Sequence, residues 1–225
     1  MIDRLLADFG LNSERGIFVI SSASLNTMQV PPFPPTVDIL ISEIKDVNHL
    51  QTVLNINYPP ETEVSLLREG IVNKVTLANL EGPAEALYVP AQKNMSFAED
   101  FQEVIAHLRA PDGCPWDRKQ THESLRSFIL EEVYEFLDAV DEGNCEEMAE
   151  ELGDVMLQIY LHAQIGVEND EFRLSDIFTA ISSKMRRRHP HVFADVEVNG
   201  SVGKVLTNWQ EIKAEERKEN GNHNK

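Results

Sequence analysis

Leu125-Arg126-Ser127-Phe128-Ile129-Leu130-Glu131-Glu132-Val133-Tyr134-Glu135-Phe136-Leu137-Asp138-Ala139-Val140 decides the reading of this chain, together with Glu150-Glu151-Leu152-Gly153-Asp154-Val155-Met156-Leu157-Gln158-Ile159-Tyr160-Leu161. In the first stretch Leu125, Phe128, Ile129, Val133, Phe136, Leu137 and Val140 recur at helical spacing. At about 100° per residue they fill one broad arc. Glu132 falls inside that arc and Glu135 at its edge, one turn along, so both can point at a common place. In the second stretch Val155, Met156, Leu157, Ile159, Tyr160, Leu161, Ala163 and Ile165 leave almost no polar side after Asp154. A helix buried nearly all round is expected there. Glu151 and Asp154, again three apart, run into the stripe of Gln158, Leu161 and Ile165. Between the stretches, Asp141-Glu142-Gly143-Asn144 carries a stop signal, which predicts an antiparallel helical hairpin whose carboxylate pairs face each other.

Four ionised carboxylates in a half-buried site repel and take up protons unless a cation sits among them. Oxygen donors without His or Cys favour Mg²⁺, with Mn²⁺ as a substitute, over Zn²⁺; Mg²⁺ also keeps waters and shares substrate phosphates. Solvated surface glutamates are the alternative reading, and it weakens when the pattern is paired on two adjoining core helices.

These stretches also carry a family resemblance. Gly113-Cys114-Pro115-Trp116-Asp117, Leu130-Glu131-Glu132-Val133-Tyr134-Glu135, Glu151-Leu152-Gly153-Asp154-Val155, Arg187-Arg188-His189-Pro190-His191-Val192-Phe193 and Asn208-Trp209-Gln210-Glu211-Ile212-Lys213 occur in order over about residues 95 to 218. Together they closely resemble the MazG nucleoside triphosphate pyrophosphohydrolases. The resemblance implies an all-α helical bundle of the dimeric dUTPase-like superfamily, assembled as a homodimer or higher, that hydrolyses NTPs and dNTPs to the monophosphate and pyrophosphate with Mg²⁺. Carried over by motif, Glu132, Glu135, Glu151 and Asp154 are the metal ligands, and Glu131, on the flank of the same helix, is a fifth acid. Hydrolysis between the α- and β-phosphates needs neutralised phosphate oxygens and a water that loses a proton. Glu135 or Glu131 can take that proton as the catalytic base, and the sequence does not choose between them.

Positive charge for the phosphates is concentrated in Lys184-Met185-Arg186-Arg187-Arg188-His189. Lys184 and Arg188 share a face of a helix expected from near Ser175 to before Pro190, with Arg187 beside them. The alternative is a basic helix end that answers the macrodipole. Trp209 and Lys213 share another face, one suited to a base or to packing and the other to phosphate. In the loop 114–120, Trp116 reads as an anchor, Lys119 as a substrate contact and Thr121 as the cap of the helix that follows. His122, His162, His189 and His191 make no zinc spacing with the two cysteines. His162 reads as a hydrogen-bonded core residue, and His189 and His191 as parts of a turn. Gly153 inside a helix costs about 1 kcal/mol against Ala, which suggests close helix approach or ligand access.

The 225 residues are 42% hydrophobic and carry a formal charge of -18. That charge argues against a nucleic-acid polymer as partner, while a free nucleotide held through a cation is compatible with it. Two cysteines make no disulfide framework, and neither a membrane-length apolar run nor a signal-peptide pattern occurs. A cytoplasmic protein without membrane partners is expected.

Overall the fold class is α+β, divided into residues 1–93, a helical domain over 94–218 and a disordered tail over 219–225. In the first part Gly16–Ile20, Val37–Ile44, Leu50–Ile56, Val64–Leu67, Lys74–Leu80 and Ala86–Val89 read as short strands or apolar elements. Gly16-Ile17-Phe18-Val19-Ile20, Glu63-Val64-Ser65-Leu66-Leu67-Arg68-Glu69-Gly70 and Leu87-Tyr88-Val89-Pro90 resemble the closing half of a tetrapyrrole (corrin/porphyrin) methylase, a small α/β fragment. The Gly-rich loops that bind S-adenosylmethionine in such enzymes are missing, so methylase activity is not expected. A non-catalytic module that binds nucleotide or dimerises is the alternative to an enzyme.

Overall fold

The computed structural model describes residues 2–11 and 16–222, with backbone alone over 219–222. It is of mixed α+β class and comprises two compact units, residues 1–104 and 105–225. The boundary lies inside a helix, past the 93/94 position expected from sequence. Residues 90–97 form no regular element, and the helical periodicity that follows them begins in the first unit.

The first unit comprises α1 (Ile2–Asp8), β1 (Ile17–Ser21), α2 (Ser22–Leu25), β2 (Asp38–Ile44), α3 (Val47–Leu54), β3 (Glu63–Arg68), β4 (Ile71–Thr76), β5 (Ala84–Val89) and the start of α4 (Ala98–Arg109). The sheet order is β1-β2-β5-β3-β4, with β1 and β2 parallel and the other pairs antiparallel. Strand alternation divides the core between the two faces. Ile39, Ile41, Leu66, Leu87 and Val89 join Leu50 and Leu54 of α3, whereas Leu40, Leu67 and Ala86 pack with Leu5 of α1. The β3–β4 turn places Glu69 and Gly70 at φ 51° and 75°, the paired left-handed conformation of a tight hairpin.

Leu50–Ile56 is not a strand. It lies largely within α3, whose N-cap Asp46 accepts a hydrogen bond from the His49 amide at 3.0 Å. Val47, Leu50, Val53 and Leu54 bury one face, so the cap and the i, i+3, i+4 spacing outweigh local β-propensity.

In the second unit α5 (Arg126–Glu142) and α6 (Cys145–Glu168) pack as the expected hairpin, followed by α7 (Leu174–Arg188), α8 (Pro190–Phe193) and α9 (Val202–Asn222). Gly143 ends α5 at φ 70°, and Asn144 caps α6 by accepting from the Glu147 amide. Thr121 is not the α5 cap. Its Oγ1 accepts from the Ser124 amide and the Ser124 hydroxyl accepts from the Thr121 amide, which closes a separate turn before α5 starts at Arg126. Residues 219–222 continue α9 rather than the tail expected there, and residues 223–225 lie outside the described residues.

Two further expectations are corrected. α6 is not buried all round: Tyr160, Leu161, Ala163 and Ile165 are buried, whereas Leu152, Met156 and Ile159 are exposed, as are Leu130, Val133, Tyr134 and Leu137 of α5. One chain of this hairpin covers only part of its apolar arc. Gly153 has nothing within 4 Å of where a Cβ would stand, so among the described residues no helix approaches it, and of the two readings only ligand access fits the open space. The tight glycines are Gly113 and Gly166, where a Cβ would lie 2.3 Å from the His107 carbonyl oxygen and 2.8 Å from that of Phe172, respectively.

Arginines 187 and 188 brace α7 to α9. Arg187 Nη2 and Arg188 Nη2 each lie 2.6 Å from a different oxygen of Glu216. These bonds hold the Glu216 carboxyl far below the usual carboxylate range, at about 2. A depressed folded pKa gives stability that is fully present above the ordinary value near 4.5 and lost as pH falls towards 2. The wild-type protein is therefore expected to lose thermal stability between about pH 4.5 and 2 more steeply than Glu216→Gln, measured by melting curves over that range.

Candidate active site

The hairpin converts sequence spacing into proximity. Glu132 on α5 and Glu151 and Asp154 on α6 are half-buried, and each presents a carboxylate oxygen within 4.8 Å of the others. Burial raises the pKa of Glu132, and the charges of Asp154, Glu135, Glu131 and Glu151 raise it further. Burial likewise comes first for Glu151, followed by Glu135 and Asp154. One Glu151 oxygen, Oε2, is buried without a hydrogen-bond partner. A buried carboxylate oxygen without a partner, on a residue of a group of like charges, is consistent with a place for a cation. The all-oxygen donor set suits a hard divalent ion.

The remaining acids are placed less centrally. Glu135 is exposed and acts on both Glu132 and Glu151 through its charge, but it is outside the close group of three. Glu131 is exposed, and its charge raises the Glu132 pKa.

Lys184, Arg187 and Arg188 lie on α7, and Trp209 and Lys213 on α9. Arg188 stands over the Trp209 ring at 5.3 Å and Lys213 at 4.8 Å, so cations already occupy the surface expected to receive a base. Lys184 is half-buried, and Lys119 is exposed on the 3-10 turn Asp117–Lys119.

Sequence reasoning missed Arg109. Its side chain is 5% exposed and spans three segments. Nε and Nη2 donate to Glu168 at 2.9 and 2.6 Å, and Nη1 donates to the carbonyls of Asp117 and Gln120. Arg109 thus ties the loop before α5 to the end of α6. Its signal in sequence was faint, since a lone arginine at a helix end is ordinary.

His162 is hydrogen-bonded, as expected: its Nδ1 faces His122 Nδ1 at 2.6 Å, while His122 Nε2 meets Glu171 at 2.9 Å. Burial, with the neighbouring His122 charge, depresses the His162 pKa. His189 joins α7 to α8, with Nδ1 2.7 Å from the Met185 carbonyl.

Residues 120–193 match the family described as the MazG nucleotide pyrophosphohydrolase domain. The chain is 47% identical over 119 residues to the nucleoside triphosphate pyrophosphohydrolase/pyrophosphatase MazG of Thermotoga maritima, covering 53% of this chain and 45% of that protein. It is 43% identical over 121 residues to the nucleoside triphosphate pyrophosphohydrolase of Escherichia coli K12, covering 53% and 46% respectively. It is 48% identical over 136 residues to the uncharacterized protein YabN of Bacillus subtilis, covering 59% of this chain and 28% of YabN. The chain thus spans less than half the length of these relatives. The matched segment 120–193 contains Glu132, Glu151 and Asp154, so the close carboxylate group of the α5–α6 hairpin lies within the part of the chain similar to the MazG domain.

Proposed function

We propose that the helical part of this chain is a Mg²⁺-dependent nucleoside triphosphate pyrophosphohydrolase that cuts between the α- and β-phosphates of NTPs or dNTPs, a nucleotide-pool housecleaning activity in the cytoplasm. The observation that carries the proposal is the half-buried group of Glu132, Glu151 and Asp154 on a helical hairpin. The names of the relatives matched over 119 and 121 residues support it.

When bound, Mg²⁺, or Mn²⁺ in its place, supplies charge neutralisation for phosphate oxygens and a water of lowered pKa. Glu132, Glu151 and Asp154 hold the site, with Glu135 at its edge. Glu135 or Glu131, both exposed and outside the close group, takes the proton of the attacking water. The water oxygen bonds to phosphorus, the bridging P–O bond breaks, and monophosphate and pyrophosphate leave. Lys184, Arg187 and Arg188 on α7 with Lys213 on α9 are the cations offered to the remaining phosphates.

The exposed apolar residues flanking this site support a homodimer. Leu130, Val133, Tyr134 and Leu137 on α5 and Leu152, Met156 and Ile159 on α6 form the surface a second copy would cover. Among the described residues no helix is long and apolar enough to cross a membrane. The methylase-like reading of residues 1–93 rests on their sequence motifs alone.

Incubation with a panel of NTPs and dNTPs is expected to release pyrophosphate with Mg²⁺ and none with a chelator. Absence of release from every nucleotide would leave the non-catalytic, nucleotide-binding reading. Sedimentation of the protein is expected to give a dimer or larger, and a monomer would remove the self-association.

A further inference from the structure

We infer that His122, His162 and Glu171 form an acid-sensitive clasp, which fastens the turn before α5 to α6 near neutral pH and releases it when the histidine pair takes up a second proton. The clasp is a property of the helical unit itself and does not depend on whether the carboxylate group is catalytic.

The three side chains come from three segments: the turn before α5, the second half of α6 and the connection from α6 to α7. His122 Nδ1 lies 2.6 Å from His162 Nδ1, with the rings 7° from parallel and their centroids 5.0 Å apart. Two ring nitrogens this close must share one proton between them. On its other edge His122 Nε2 meets the Glu171 carboxylate at 2.9 Å, and the Phe172 ring lies against His122 at 23° and 5.8 Å. The end of α6 holds this arm in place. The Glu171 amide donates to the Gly166 carbonyl at 2.8 Å, and Phe172 sits so near Gly166 that a Cβ there would lie 3.1 Å from its ring.

Proton counting makes the contact a switch. With His122 Nε2–H given to Glu171, the bond between the two Nδ1 atoms needs one proton, which either ring can supply. It forms when both rings are neutral, with His162 as donor. It also forms when the pair carries one positive charge, with His122 as donor and Glu171 as counter-charge. A second added proton puts N–H on both Nδ1 atoms, so the bond is lost and two cations face each other. Burial first, then the His122 charge, holds the His162 pKa below its ordinary value of 6.5. Around His122 the charged groups are Glu171 from the α6–α7 connection and Glu123 from its own turn, with Arg126 beside Glu123. A lowered folded pKa means that the opened state binds more protons. The stability of the clasp is therefore complete above the ordinary value and is lost as pH falls from there towards the folded one. Arg109, which holds the Gln120 carbonyl, keeps its charge throughout, so release is confined to the turn.

Hydrogen exchange of the full chain at about pH 7.5 and about pH 5, corrected for the intrinsic rate, tests the clasp across the histidine range. The reporters are the amides of Ser124, Leu125 and Arg126, which donate to Thr121 Oγ1 and to the carbonyls of Thr121 and Glu123. Their protection is expected to fall in acid by up to about tenfold for each unit by which His162, titrated by NMR, lies below its ordinary value. Amides of the α6 interior should keep theirs. In His162→Gln, whose carboxamide gains no charge, the acid loss at the turn should disappear. If that variant does not fold, the wild-type exchange and the His162 titration decide alone. Unchanged protection at the turn, a loss spread evenly over α5 and α6, or a His162 that titrates at or above its ordinary value would overturn the clasp. So would an acid loss that persists undiminished in folded His162→Gln.

Discussion

Glu132→Gln and Asp154→Asn are each expected to reduce Mg²⁺-dependent pyrophosphate release by on the order of 10²–10³-fold or more, comparable to removal of a key electrostatic group in other active sites. The same substitutions should act on stability with the opposite sign. Without metal, Glu132 sits among Asp154, Glu135, Glu131 and Glu151, all of which disfavour its charge. Replacing it with a neutral isostere removes that repulsion, so the metal-free variant should melt at or above the wild-type temperature. Addition of Mg²⁺ stabilises any state that binds it, by about 2.7 kcal/mol at a hundredfold excess over Kd. That increment should appear in wild type and vanish in both variants. Melting curves with and without Mg²⁺, beside an activity assay, separate loss of the site from loss of the fold. Near-normal turnover with the Mg²⁺ increment intact would refute the ligand assignment.

Gly113→Ala is expected to be the most damaging single methyl in the helical unit. Its Cβ would lie 2.3 Å from the carbonyl oxygens of both His107 and Leu108, which are backbone atoms of α4 and not free side-chain ends. Relief requires the loop to move, which breaks the Cys114 amide bond to Leu108 and draws Asp117 and Gln120 away from Arg109. A loss of about 3 kcal/mol or more follows, at the upper end of ordinary single substitutions. Gly153→Ala is the contrast, because space around it is open and Ala favours a helix interior by about 1 kcal/mol. It should be neutral or stabilising. Urea unfolding of the two variants checks the pair, and a loss at Gly153 would place a second chain against that glycine.

The helical hairpin was legible because its signals are local. Apolar spacing, the Gly143 stop and the Asn144 cap all lie within a few residues of what they specify. The α3 segment was misread because a short apolar run fits a strand or a helix equally. The cap at Asp46 and burial against the sheet resolved it. At the site, i, i+3 spacing set Glu132 inside the apolar arc of α5 and Glu135 at its edge. Distance across the hairpin left it outside the close group. The basic cluster was visible as charge, yet its pairing with Glu216 joins residues 28 and 29 positions apart, beyond any local pattern.

By itself, the sequence determined the α5–α6 pair of helices, where their hairpin turns and which carboxylates lie on its inner arc. Those properties depend on backbone periodicity and nearest neighbours. Tertiary structure alone decided that Glu132, Glu151 and Asp154 converge, that α5 and α6 leave an apolar face exposed, and that Arg109 locks the Trp116 loop to α6. Each of these depends on a side chain's distance to a residue far along the chain, set by how the helices pack.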